Sequence, residues 1–140
     1  MISFNVFSLT KISKINPMGS HPINLLFRFL LELMALFIIG LWGWKQSQGL
    51  TAFLLALTLP ILFAVIWGVF AVPDDPSRSG NTVVRTQGPI RLLLELTLFG
   101  AAVWMLFDLD FQKLTWIFSI ALIIHYVSSF DRIVWLLKQE

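Results

Sequence analysis

The stretch INLLFRFLLELMALFIIGLWGW, Ile23 to Trp44, decides the fold class. It is too long and too continuously apolar for a strand. At about 1.5 Å rise per residue it is long enough for the about 30 Å hydrocarbon core of a bilayer. Its charges, Arg28 and Glu32, lie near its start, and it ends at the polar Lys45-Gln46-Ser47-Gln48-Gly49. A second run, Leu50 to Val72, stops at Pro73-Asp74-Asp75-Pro76. The linker Pro73–Gly88, rich in Pro, Ser, Gly, Asp and Asn, shows no periodicity. A third run begins at Pro89, where a first helical turn tolerates proline, and continues to Phe107. After the turn Asp108-Leu109-Asp110, Leu114 to Leu137 forms a fourth run. The pattern predicts an all-α, integral membrane four-helix bundle with spans at 23–44, 50–72, 89–107 and 114–137. The short connections between the first two and the last two spans predict two similar antiparallel hairpins. The membrane domain is 23–137, with linker 73–88, an N-terminal tail 1–22 and a short C-terminal end, 138–140.

Composition agrees. The 140 residues are 57% hydrophobic and 13% charged, with a mean hydropathy of +0.81. Soluble domains carry about 25% charged residues, so soluble and disordered classes are excluded. There is no cysteine, which removes disulfides, thiol nucleophiles and thiolate metal sites. The net charge is only +2, so the basic residues mark a membrane face and no nucleic-acid partner is expected. Lys11, Lys14, Arg28, Arg78, Arg85, Arg91, Arg132 and Lys138 fall on one side and Lys45 and Lys113 on the other. The positive-inside rule then places both termini in the cytoplasm, in a bacterial inner membrane. Trp42, Trp44 and Trp116 fall at outer span ends and Trp135 near an inner one, as aromatic belts do. Residues 1–17 admit two readings, an interfacial tail or a segment upstream of a true start at Met18. The run beginning at Ile23 lacks a small-residue cleavage site after it and is expected to be a retained span.

Arg28-Phe29-Leu30-Leu31-Glu32-Leu33 returns 63 residues later as Arg91-Leu92-Leu93-Leu94-Glu95-Leu96. This internal repeat relates the two hairpins as a parallel duplication. The i, i+4 spacing stacks each Glu on the face of its Arg. A charge at mid-span costs about 2.5–3.5 kcal/mol, less near the interface. An arginine near a helix end can snorkel; a glutamate one turn deeper does so poorly. Span four adds Asp131 and Arg132 at a similar depth. The candidate intramembrane polar cluster is therefore Arg28, Glu32, Arg91, Glu95, His125, Asp131 and Arg132. Two readings stay open: paired ions that set helix register, or a cytoplasm-facing site for an anion, a headgroup or a proton. His125, near the middle of the fourth span, is expected to be hydrogen-bonded to a neighbouring helix. It shares a face with Ser128, Ser129 and Arg132, and it is the midplane group able to titrate near neutral pH. Ala52, Ala56, Pro60, Ala64 and Gly68 form a small-residue stripe expected to pack a neighbouring helix. Asp74, Asp75, Asp108 and Asp110 are read as solvated turn acids.

No Gly-rich phosphate loop, H-E-x-x-H or G-x-S-x-G occurs. No catalytic residue, metal ligand or cofactor is expected, and the chain is read as a non-enzyme. The Arg28–Leu33 opening, Trp67-Gly68-x-Phe70-x-x-Pro73 and the Arg91–Leu96 repeat resemble the YrdB-like family of small bacterial four-span membrane proteins, a domain of unknown function. The resemblance covers about Pro22 to Leu137. It implies an inner-membrane protein of four helices and supplies no activity, cofactor or catalytic residue. The expected role is a non-enzymatic membrane scaffold or accessory subunit; the alternative is a small proton- or ion-coupled transporter. Expected partners are membrane lipids and a membrane protein or a second copy of the chain.

Overall fold

The computed structural model describes residues 21–75 and 81–139, so both readings of residues 1–17 lie outside the described residues. Helix α1 spans Pro22–Lys45. The His21 ring begins it by accepting the Ile23 N–H at Nδ1, 3.3 Å, and Pro22 takes the first helical position, where no N–H is needed. Gly49, in the left-handed region at φ 61°, opens α2, Gly49–Val69. The expected second span loses its last three residues. Phe70–Ala71 is a two-residue strand, β1, paired in parallel with β2, Val84–Arg85, in the register Phe70↔Val84 and Ala71↔Arg85. The Thr86 N–H donates to the Ala71 carbonyl at 2.9 Å. The linker therefore folds back on itself where the composition suggests only loop. Helix α3 follows at Gly88–Asp108.

The fourth apolar run differs from expectation. It forms two helices, α4, Gln112–Ser128, and α5, Phe130–Leu137, whose axes bend by 67° at Ser129. Adjacent serines are a known site of helix breaks. The Ser128 hydroxyl donates back to the Ile124 carbonyl at 2.8 Å, a bond that competes with the helical ladder. The Ser129 hydroxyl accepts from the Asn24 amide on α1 at 2.7 Å. The described chain is thus mostly helical. Among the described residues, three helices are long and apolar enough to cross a membrane, or four segments if α4 and α5 count as one bent span.

The core lies between α1, α3 and α4. Leu31, Ala35, Ile38 and Ile39 meet Leu98, Phe99, Ala102, Met105 and Leu106, with Phe118 and Leu122 closing the layer. These positions recur at the three- and four-residue spacing of one helix face. Helix α2 buries only Ala52 and exposes Phe53, Leu54, Leu57, Ile61, Leu62 and Val65. So large an apolar face suggests a membrane protein. Close approach of α1 and α2 comes from glycines on α1. A Cβ on Gly43 would lie 2.9 Å from the Leu55 carbonyl, and one on Gly40 would lie 3.0 Å from the Ala56 carbonyl oxygen. The expected stripe on α2 is used at Ala52, Ala56 and Pro60, while Ala64 is exposed.

The tightest backbone approach joins α3 to α5. The Gly88 N–H donates to the Gln139 carbonyl at 2.9 Å, and any Cβ on Gly88 would overlap the Leu136 carbonyl. Gly88→Ala should therefore lower thermal stability in detergent by about 1–3 kcal/mol. Gly100→Ala, where a Cβ meets nothing within 4 Å, should leave it unchanged or raise it. Paired melting curves of the two variants check this, and equal melting would contradict the α3–α5 approach.

Candidate functional site

The starts of α1 and α3, the end of α2 and the whole of α5 converge on a chain of ion pairs. Its centre is Glu95, whose side chain is 0% exposed. The Arg132 guanidinium donates to both Glu95 oxygens, at 3.0 and 3.3 Å, and Arg28 Nη2 lies 3.7 Å from Oε2. Arg28 Nε donates to Glu32 Oε1 at 2.8 Å. Arg132 Nη2 donates to Asp75 Oδ2 at 3.1 Å. The order is Glu32–Arg28–Glu95–Arg132–Asp75, which ties α1, α3, α5 and the linker through buried charges.

The two copies of the Arg-x-x-x-Glu repeat behave differently. In the first, Arg28 and Glu32 pair along their own helix. In the second, Glu95 takes its arginines from α1 and α5, while Arg91 Nη1 donates to the carbonyls of Trp67, at 2.7 Å, and Phe70. The Trp67 carbonyl belongs to the last turn of α2, which has no following turn to receive it, and the Phe70 carbonyl lies just past that end; a cation there also complements the helix dipole. The Arg91 guanidinium stacks 3.7 Å from the Trp67 ring centroid, and Arg28 lies 5.5 Å from the same ring.

Several expectations are corrected. Asp75, read as a solvated turn acid, is only 7% exposed and supplies the third carboxylate of the network. The left-handed turn at Asp74, φ 58°, and the β1–β2 pair bring it inward. Asp131 instead sits partly exposed in the first turn of α5. The bend at Ser129 invalidates a depth counted along one straight span. His125 is also not at the middle of an unbroken helix. It occupies the last turn of α4, is 1% exposed, and packs against Phe27 and Tyr126. The expected hydrogen bond from a neighbouring helix is not formed: among the described residues neither ring nitrogen has a partner, nor does the buried Tyr126 hydroxyl. Ser128, Ser129 and Arg132 bond in three different directions, so the face they share with His125 is not one site. Asp108, exposed as a turn acid should be, also accepts from Trp42 Nε1 at 2.8 Å and joins the far ends of α3 and α1.

Beside the ion chain lies a cleft of about 280 Å³ between α1 and the end of α2, open on one side, with Arg28, Glu32, Trp67, Asp75 and Arg91 in its walls. Trp67 and Asp75 were not singled out as site residues from sequence. An aromatic ring beside two arginines is a recurrent pairing, but three arginines already balanced by three acids left no sequence signal for Asp75. Among the described residues, no three or more His, Cys, Asp or Glu side chains are placed to hold a metal ion.

This mostly helical chain with its buried ion pairs has relatives. The profile described as "Protein of unknown function (DUF2568)" matches residues 26–123. The chain is 44% identical over 116 residues to the uncharacterized protein YrdB of Bacillus subtilis (strain 168), covering 83% of this chain and 94% of that protein. The chain belongs to this YrdB-like family of unknown function. No solved structure gives a significant match.

Removing one partner of a buried ion pair leaves the other charge uncompensated, at a cost of about 3–5 kcal/mol. Glu95→Gln should therefore lower the melting temperature in detergent far more than Glu32→Gln, whose site is 20% exposed at the end of the chain. Equal losses in the two variants would remove Glu95 from its central place.

Proposed function

We propose that this chain is a four-pass protein of the bacterial inner membrane, with both termini in the cytoplasm, acting as a non-enzymatic scaffold or accessory subunit. Helices α1 and α2 form one antiparallel hairpin and α3 with the bent α4–α5 pair forms the second, the two related by internal duplication. The single observation that carries this reading is the Glu32–Arg28–Glu95–Arg132–Asp75 chain. Its charges are spent on one another, a use that holds helices in register in lipid, where no hydrophobic drive does so. In this topology the network lies in the cytoplasmic leaflet. Partners would dock on the exposed apolar faces, either another membrane protein or a second copy, with lipids covering the rest. Orientation rests on the distribution of Lys and Arg. Reporter fusions after Ser47 and Lys113 should read as external, and fusions after Arg85 and Gln139 as cytoplasmic. A single robust reversal overturns the topology.

A second reading, a small proton-coupled transporter, is favoured by one observation. His125 is buried with both ring nitrogens unpartnered, one turn before a helix break, and broken helices beside an ionisable group mark transporter sites. Under the scaffold reading, His125→Leu removes unsatisfied polar atoms and should leave melting unchanged or raise it. Purified protein in liposomes should then show no pH-driven flux. Flux that His125→Leu abolishes in a folded protein establishes the transporter instead.

A further inference from the structure

We propose that the groove between α1 and α4 binds a quinone with an apolar tail. The tail lies in the groove, and the ring takes the place of the Phe27 ring with an oxygen on His125. The site adds a ligand to the scaffold reading and shares with it only the placement of these helices in lipid.

The groove has a volume of about 280 Å³ and apolar side chains alone in its walls. Phe27, Leu31, Met34 and Ile38 recur at the spacing of one face of α1 and lie opposite Phe118 and Ala121 of α4. Leu31, Ile38 and Phe118 are buried and form the floor, while Met34, Phe37 and Ile117 stand exposed at the rim. The groove therefore opens outward, toward lipid. His125 is next on the same face of α4, one turn past Ala121, and its ring meets that of Phe27 edge-on at 6.1 Å. Phe27 thus links the end of the groove to the imidazole. Among the described residues neither nitrogen of this buried ring has a hydrogen-bond partner. The Tyr126 hydroxyl, on a ring 5.4 Å from the imidazole, has none either. Polar groups left unpaired away from water are costly, and a ligand that pairs with them gains accordingly.

That demand selects the ligand. An acyl chain alone fills the groove and leaves the imidazole unanswered. A charged headgroup suits the depth poorly, because Phe27 lies five residues past Pro22, the first residue of α1, about 8 Å below the helix start by rise. An uncharged ring carrying oxygens reaches that depth without desolvating a charge. A neutral imidazole has one N–H and one bare nitrogen. A quinone oxygen accepts from the N–H, and the hydroxyl of the quinol form donates to the bare nitrogen. A flat ring also replaces the Phe27 phenyl shape for shape. Entry then needs rotation of one side chain and no movement of a helix.

The test uses the full-length protein purified in neutral detergent, with melting temperature and native mass spectrometry as readouts. The probes are decylubiquinone, decylbenzene, which keeps the tail and ring but has no oxygen, and the same quinone without its tail. Decylubiquinone should bind on the order of tenfold more tightly than decylbenzene, the worth of about one net hydrogen bond. It should exceed the tail-less quinone by at least as much. His125→Leu should melt normally without ligand and bind the two tailed probes equally. Tyr126→Phe should retain the preference in part. Ala121→Leu, which fills the groove one turn from His125, should lose the ligand-induced shift with both tailed probes. Equal binding of decylubiquinone and decylbenzene by the parent protein, or an undiminished preference in His125→Leu, overturns the proposal. So does an undiminished shift in Ala121→Leu, a tail-less quinone that binds as tightly as the tailed one, or no binding by any probe. Binding in detergent is independent of membrane orientation, so its failure is distinct from a reversed fusion and leaves the scaffold reading standing.

Discussion

A carboxylate with no exposure to solvent, Glu95, sits where α1, α3 and α5 meet, and the rest of the arrangement depends on keeping it paired. The idealised cost of moving such an ion into a low-dielectric medium is about 20 kcal/mol, and several kcal/mol after relaxation. Arg132 answers it with two donors and Arg28 with a third contact. Each arginine then needs a further anion, which Glu32 and Asp75 supply. The chain of demands ends at Glu32, whose side chain is 20% exposed. Helix positions follow from the electrostatics.

The break at Ser129 is part of the same constraint. A straight helix through Leu137 would carry Arg132 along the axis of α4. Bending by 67° turns α5 across the start of α3, with Gly88 against the Leu136 backbone and Arg132 on Glu95. Asn24 holds the break from α1 through the Ser129 hydroxyl. The buried, unpartnered nitrogens of His125 lie one turn away. Such groups are rare in folded proteins and mark places where structure yields to something other than stability, which is why His125 separates the two functional readings.

Helix α2 has a different status. It is held by glycines of α1 and by Arg91 on its final carbonyls, and it leaves most of its apolar surface outside the core. A lipid environment removes the penalty for that exposure. The cleft exists because α2 ends early, at Val69, and the chain then turns through β1 and Asp74 to bring Asp75 back to the ion chain.

Run length and charge spacing were enough to read the apolar helices, the turns between them, and Arg28, Glu32, Glu95 and Arg132 as interior charges. The cause is local: about 20 apolar residues need a helix, and a charge inside one is visible wherever it falls. The same six-residue pattern could not say that Arg28 pairs along its helix while Arg91 caps α2. That choice depends on which groups each helix meets. Nor could sequence add Asp75 to the ion chain, or break the fourth run at Ser129. Both depend on contacts between residues far apart in the chain, Asn24 with Ser129 and Asp75 with Arg132. A local pattern specifies that a charge must be answered; only the tertiary structure decides which distant residue answers it.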